Sequence, residues 1–424
     1  MSTRVPSSLG SAALPGVEAP LPPIMRGRRR IDPGVAGRAT TAAPTDGLRA
    51  PLDSAVLTAV ALLSCLGIVM VYSTTAHFAP ESMLPPYLVK HLEGVVAGLV
   101  LGLFVFRLPL ARIRRLAVPF WMLSVGLLAA TLVVGTRVNG AQRWLAIPGL
   151  GGFQPAEFAK LATILAVASE LARRSGRSAF DVKTLMIPLG LAALPAALLL
   201  KQPDMGSAVV ILSLTACLVL LAGAPLHLFV LPGLVGIAGV GAYVSVKPYA
   251  LRRVIGFLSP WEKSQEEGFQ LVQSFVAFGR GGLFGTGLGA GSQKLYYLPE
   301  AHTDFILSMV AEELGLVGVL VVVGAFVALL FAGVRIARNA RDRFALFAAA
   351  GLTLLLTLPA CINGMVVTGL IPTKGLALPF LSYGRSNMIV CYLAVALLLG
   401  IGCREGAPDP PKVGGAERRG FLET

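Results

Sequence analysis

The stretch Ser54–Ser73, SAVLTAVALLSCLGIVMVYS, carries no charged side chain from end to end. A helix of that length, at 1.5 Å per residue, reaches about 30 Å, the hydrocarbon thickness of a bilayer. Comparable apolar runs follow at about 88–106, 116–135, 156–172, 184–200, 206–224, 226–246, 305–333, 344–369 and 379–402. This spacing predicts an all-α integral membrane protein with about ten transmembrane helices. A long extracytoplasmic loop, from Lys247 to Thr303, separates the seventh from the eighth. Composition agrees: 55% of residues are hydrophobic, 14% are charged, and mean hydropathy is +0.75.

Outside these runs the chain changes character. Residues 1–53 are rich in Pro, Ala, Gly and Arg and hold too little apolar surface for a core, so they are read as a disordered basic tail. Residues 54–403 form the membrane domain, and 404–424 a second tail. The first apolar run lies behind the Arg-rich tail and lacks a small-residue cleavage site, which argues against a removable signal peptide. The net charge of +14 raises nucleic acid as a partner. The basic residues flank apolar runs instead: Arg107, Arg112, Arg114 and Arg115; Arg173, Arg174, Arg177 and Lys183; Arg335, Arg338, Arg341 and Arg343. That placement is the positive-inside pattern, so no nucleic-acid partner is expected and both termini are placed in the cytoplasm of an inner-membrane protein. The five cysteines fall in or beside apolar runs without metal-ligand spacing and are read as core thiols.

Four segments on the non-cytoplasmic side hold most of the polar residues. The first contains Arg143 and Trp144, then Gln154-Pro155 with Glu157 and Lys160. Pro155 and Glu157 suit a helix start, Glu157 can pair with Lys160 three positions on, and Arg143 suits an interfacial belt as well as an anion. A lysine one turn inside a membrane helix is costly unless it lines a polar cavity. The second segment is Lys201-Gln-Pro-Asp204, in which Asp204 reads as an N-cap. The third holds Gln273, Ser274, the glycine run Gly279–Gly289, Lys294, Glu300, His302 and Asp304. The glycines mimic a dinucleotide fingerprint, but no strand precedes them. Asp304 has a bland reading as N-cap of the eighth helix. Glu312 and Glu313 lie deeper on that helix and are functional or partnered by default. The fourth segment runs through Lys374-Gly375 to Ser382, Tyr383 and Gly384, where Pro and Gly break helix at membrane depth. Cations around one carboxylate suit a lipid diphosphate better than a small solute.

The stretches NGAQRW with QPAEFAKLA, KQPDMGSA, QSFVAFGRGGLFGTGLGAGSQKLYYLPEAHTDFILSMVAEELGLVG and INGMVVTGLIPTKGLALPFLSYGRSN resemble the SEDS family of FtsW, RodA and SpoVE. They cover about 130–403, and LPEAHTDF with PTKG is more similar to the FtsW branch. The resemblance implies a ten-helix peptidoglycan glycosyltransferase. It would polymerise lipid II, an undecaprenyl-diphosphate-linked disaccharide peptide, outside the membrane, with a class B penicillin-binding protein and other division-complex proteins. The family's essential aspartate in HTDF maps onto Asp304, and its basic residues of RW and QPxExxK map onto Arg143 and Lys160. Substrate binding is accordingly expected at Arg143, Trp144, Glu157, Lys160, Gln273, Ser274, Lys294, Glu300, His302, Lys374, Ser382 and Tyr383. Two departures stand out: the family usually reads SYGGSS, whereas Arg385 and Asn387 occupy the fourth and sixth positions here. Arg385 either points into the cavity and adds a phosphate contact or turns toward lipid and snorkels to the interface, and the polar turn Ser382-Tyr383-Gly384 before it favours the cavity.

The residues leave two chemistries open for Asp304, a base at the acceptor hydroxyl or a ligand of a divalent cation, Mg or Mn. No other cofactor is expected. They also leave two competing functions: a lipid II flippase, which needs a polar entrance on the inner side, and a non-catalytic scaffold for a penicillin-binding protein. The inner loops are short and basic and the polar motifs lie outside, which favours the enzyme. Division, elongation and a specialised role stay undecided.

Overall fold

A computed structural model of the chain describes residues 50–78, 84–138, 141–147, 151–174, 182–246, 248–294 and 301–405. Residues 1–49 and 406–424, most of both tails, and Glu300 lie outside these residues. Each of the ten apolar runs falls on a helix: α1 Ser54–Thr75, α2 Pro86–Arg107, α3 Leu110–Val134, α4 Pro155–Arg174, α5 Val182–Lys201, α6 Met205–Leu221, α7 Val230–Val246, α10 Ile306–Asn339, α11 Arg343–Val367 and α12 Arg385–Glu405. Six of these regions, α1 with the short turn after it, α2, α3, α10, α11 and α12, are long and apolar enough to cross a membrane. The chain is a multi-pass membrane protein. The shorter apolar segments 185–201, 205–221 and 226–236 accompany them. Asp53, Asp204 and Asp342 cap α1, α6 and α11 by accepting backbone N–H bonds, as short acceptor side chains do at helix starts.

The core lies where α4, α11 and α12 meet. α4 carries charges at both ends, yet most of its side chains are buried, because α3, α5, α6, α11 and α12 surround it. α12 is the most enclosed helix, with 83% of its apolar window buried. α2 packs along it through Gly94, Gly98 and Gly102; a Cβ on Gly98 would lie 2.9 Å from the Tyr392 ring. Small residues at four-residue spacing let helix backbones approach closely where lipid offers no hydrophobic drive for association.

Three features depart from the sequence reading. Residues 136–153 form a small antiparallel sheet, with strand order β1 Thr136–Val138, β2 Ala141–Ile147 and β3 Gly151–Phe153. The stretch read as one long loop contains two helices, α8 Pro248–Leu258 and α9 Phe269–Gly281. The tenth helix starts at Arg385 rather than 379, because Leu378–Ser382 makes a tight turn in which Leu378 N donates to Ser382 Oγ at 2.8 Å and buried Phe380 adopts φ 66°.

The third helix of note, α10, is broken at Gly315, where φ is 67° and ψ is −163°. The break frees backbone groups that water cannot satisfy at this depth. The glycine run satisfies them. Thr286 N and Gly287 N donate to the carbonyls of Glu312 and Glu313 at 2.9 and 3.1 Å, and Leu316 N and Val317 N donate to those of Gly282 and Leu283 at 3.0 and 3.2 Å. The loop thus enters the helix as a splice, and its glycines are there for backbone contact rather than for a dinucleotide. A Cβ on Gly315 would fall 2.4 Å from Gly285 N. Gly315→Ala is therefore expected to lower the melting temperature in detergent sharply, since both the backbone angles and the contact exclude a side chain. Gly324→Ala, an exposed glycine on the same helix with nothing within 4 Å of its Cβ, should be neutral or stabilising by up to about 1 kcal/mol. Equal melting temperatures for the two variants would contradict the splice.

Candidate functional site

Asp304 stands just before α10, and the backbone around it is fixed from three directions. Asn363 Nδ2 donates to Asp304 O at 2.7 Å and to Leu376 O at 2.9 Å. Ser382 Oγ donates to Thr303 O at 2.5 Å, and Tyr383 N donates to His302 O at 2.9 Å. Three consecutive carbonyls are thereby tied to α11 and to the segment before α12. The helix cap itself is Phe305, which supplies no capping side chain, so Asp304 does not hold the N-cap position read from sequence. Its carboxylate faces the exposed Gly375 instead: a Cβ there would approach Asp304 Oδ2 to 2.8 Å. Lys374 is the next residue. It is half-buried, burial pulls its ammonium below the usual lysine range, and no hydrogen bond or ion pair engages it among the described residues. Arg253 on α8 holds the neighbouring Thr373 carbonyl at 3.0 Å.

An aromatic cluster forms around His302, two residues before Asp304. His302 packs against Tyr87 at 5.0 Å and Tyr383 at 5.6 Å between centroids, and Phe78 completes the group. Burial raises the Tyr383 hydroxyl pKa. Tyr87, Phe78 and Asn363 were not singled out from sequence; only Asn363, a lone amide in an apolar run, left a signal.

The other expected cations are already engaged. Arg143 on β2 donates through Nε to Gln202 O at 3.1 Å and also bonds Pro203 O, so it braces the α5–α6 turn. Trp144 packs over Gly152 within the sheet. Lys160 and Glu157 form a buried ion pair at 2.7 Å, enclosed by α11, α12 and Leu376–Pro379. The same enclosed space receives Asn387, whose Nδ2 has no partner among the described residues. Lys294 is buried against Glu313 at 2.7 Å and does not face Asp304. Ser274 bonds Ser308 and the Val367 carbonyl, stapling α9 to α10 and α11, and Gln273 makes no side-chain hydrogen bond among the described residues. Glu312 accepts from Ser292 N at 2.9 Å and from Gln293 N. Arg385 corrects the cavity expectation: it pairs with Glu93 of α2 at 3.1 Å.

Among the described residues no group of three or more His, Cys, Asp or Glu is suited to a metal, and Asp304 is the carboxylate of this site that could hold a divalent ion. Such an ion would draw its remaining ligands from diphosphate and water, the common arrangement for Mg2+.

The cell cycle protein profile FtsW/RodA/SpoVE matches residues 53–405. The probable peptidoglycan glycosyltransferase FtsW of Trichlorobacter lovleyi is 41% identical over 363 residues, covering 83% of this chain and 93% of its own length. That of Geobacter metallireducens is 40% identical, covering 84% and 96%. Among solved structures, one reporting the coordination of polymerization and crosslinking by a peptidoglycan synthase complex aligns with TM-score 0.69 and 31% identity, covering 83% of this chain and 98% of its own. The rod shape determining protein RodA of Thermus thermophilus aligns with TM-score 0.62 and 30% identity, covering 84% and 98%.

The buried Glu157–Lys160 pair has a thermodynamic signature. Lys160→Met strands a carboxylate inside the bundle and should cost about 3–5 kcal/mol, whereas Glu157→Leu with Lys160→Met should recover most of that loss. Unfolding in detergent reads both; a double variant less stable than Lys160→Met would show that the charges act apart.

Proposed function

The chain belongs to the FtsW/RodA/SpoVE family of cell cycle proteins, and we propose that it is a peptidoglycan glycosyltransferase that joins lipid II disaccharides into glycan strands. The observation that carries the site is the approach of Asp304 to Gly375, next to Lys374, which forms no ion pair among the described residues. In this reading the acceptor 4-hydroxyl attacks C1 of the donor sugar, the C1–O bond to the diphosphate breaks, and the hydroxyl proton leaves on the Asp304 side. Lys374 offers the leaving diphosphate a positive charge where it develops. Tyr87, His302 and Tyr383 offer a sugar ring an apolar wall and keep water from the anomeric carbon. Asp304 meets the acceptor either as base or through a divalent ion, which when bound would supply charge to the diphosphate; chelation separates the two, since only the second loses activity with EDTA and regains it with Mg2+.

The basic ends of α2, α10 and α12 lie opposite Asp304 on the bundle: Arg404 bonds Phe106 O and Arg335 pairs with Asp53. That distribution supports cytoplasmic termini in the cytoplasmic membrane and a reaction on the far face. Polymer drawn out there would meet a class B penicillin-binding protein, a partner that the synthase-complex relative makes reasonable, together with other division proteins.

The test is gel analysis of purified protein with lipid II and its penicillin-binding partner. Asp304→Asn should insert and fold normally yet make no polymer; half of the wild-type yield would end the catalytic reading. Lys374 gives a pH test with a defined sign. Its pKa is lowered, so the free enzyme loses this charge at a pH below the ordinary lysine value of about 10.4. The value of kcat/KM should fall as pH rises through that lowered pKa, and Lys374→Arg should hold kcat/KM level over the same range. Parallel profiles for the two proteins would remove Lys374 from diphosphate binding.

A further inference from the structure

Because of the break at Gly315, the segment that starts beside Asp304 is a short stub, Ile306 to Leu314, rather than the end of a continuous helix. One end of the stub is tied to the segment before α12 through the carbonyls of residues 302–304. The other end is tied by charge. Lys294 Nζ donates to Glu313 Oε1 at 2.7 Å, to Ser73 Oγ at 2.9 Å and to the Gly289 carbonyl at 2.7 Å. Ser73 Oγ donates to the same Glu313 carboxylate at 2.7 Å, and Gly289 N donates to it at 3.0 Å. Glu313 and Lys294 are almost fully buried, and Ser73 belongs to α1. Three elements therefore converge on one carboxylate: α1, the spliced loop and the stub.

We propose that Ser73, Lys294 and Glu313 are positioning residues for Asp304, fixing the tilt of the stub on which it is mounted. The inference rests on Asp304 being the catalytic carboxylate. Glu313 lies nine residues from Asp304, about 13 Å along a helix. A tilt of about 5° at the Glu313 end moves the other end by roughly 1 Å, and misplacement by that distance costs about a hundredfold in rate. The splice bonds hold the backbone of residues 312 and 313 to the loop but not to α1. The Lys294–Glu313–Ser73 group adds the lateral tie to α1.

The experiment is steady-state polymerisation of lipid II by the full chain with its penicillin-binding partner, with Asp304→Asn run as a control. Replacing both buried charges, Lys294→Met with Glu313→Leu, avoids a stranded ion. The double variant should stay monodisperse, with kcat lowered about tenfold to a hundredfold, KM unchanged, and partial recovery in Lys294→Arg with Glu313→Asp. Wild-type kcat in the folded double variant overturns the proposal. So does a raised KM at unchanged kcat, which would make Lys294 a substrate ligand. Should the double variant fail to fold, Ser73→Ala decides: it removes one hydroxyl, and kcat must fall at constant KM or the tie to α1 has no catalytic role. Activity in Asp304→Asn would instead refute the assignment of the catalytic carboxylate, a separate failure from that of the Lys294–Glu313–Ser73 tie.

Discussion

Backbone amides and carbonyls inside a bilayer have no water to turn to, and every irregularity in a membrane helix must bring its own partners. In this chain that constraint is concentrated at Gly315. The four backbone bonds that close the break come from residues 282–287, so the loop, the helix and the placement of the reactive end of α10 are one problem. The loop in turn is held by α1 through Ser73, and the stub by α11 through Asn363. Remove the splice and none of the later contacts has a fixed frame.

Charge is distributed by a similar logic. Lys160, Lys294, Arg143 and Arg385 each have an acceptor, and the two buried lysines are paired at 2.7 Å. A buried cation without a partner pays a desolvation cost of several kcal/mol, so its appearance is informative. Lys374 is only half-buried, which keeps that cost bearable, and the Asp304 carboxylate lies against the adjoining Gly375. A polyanion arriving there would relieve the lysine as well as bind to it.

The helices were legible in the sequence because bilayer thickness fixes their length, and Ser54–Ser73 already states the rule. Asp304 was singled out through HTDF, and the structure sets it just before α10 against Gly375. What residue type could not reveal was which charges were already engaged. Lys294 and Glu313 look like two functional residues until the loop folds back nineteen positions to join them, and Ser73 is 240 residues from Glu313. The sheet escaped because strands of three and seven residues between membrane runs carry too little alternation to register. Ser274, read as a substrate contact, is consumed by packing, which no local pattern shows.

The Arg385–Glu93 pair has a bearing on how this chain tolerates exchange with its relatives. The guanidinium sits at the head of α12 and its acid on α2, where Gly94 brings the two backbones within contact of each other. A hybrid that kept this α12 but took α2 from a protein without an acid at the matching place would set a cation against a tight glycine contact with no counter-charge. The two helices are therefore a single unit of inheritance, and recombination boundaries belong outside the pair.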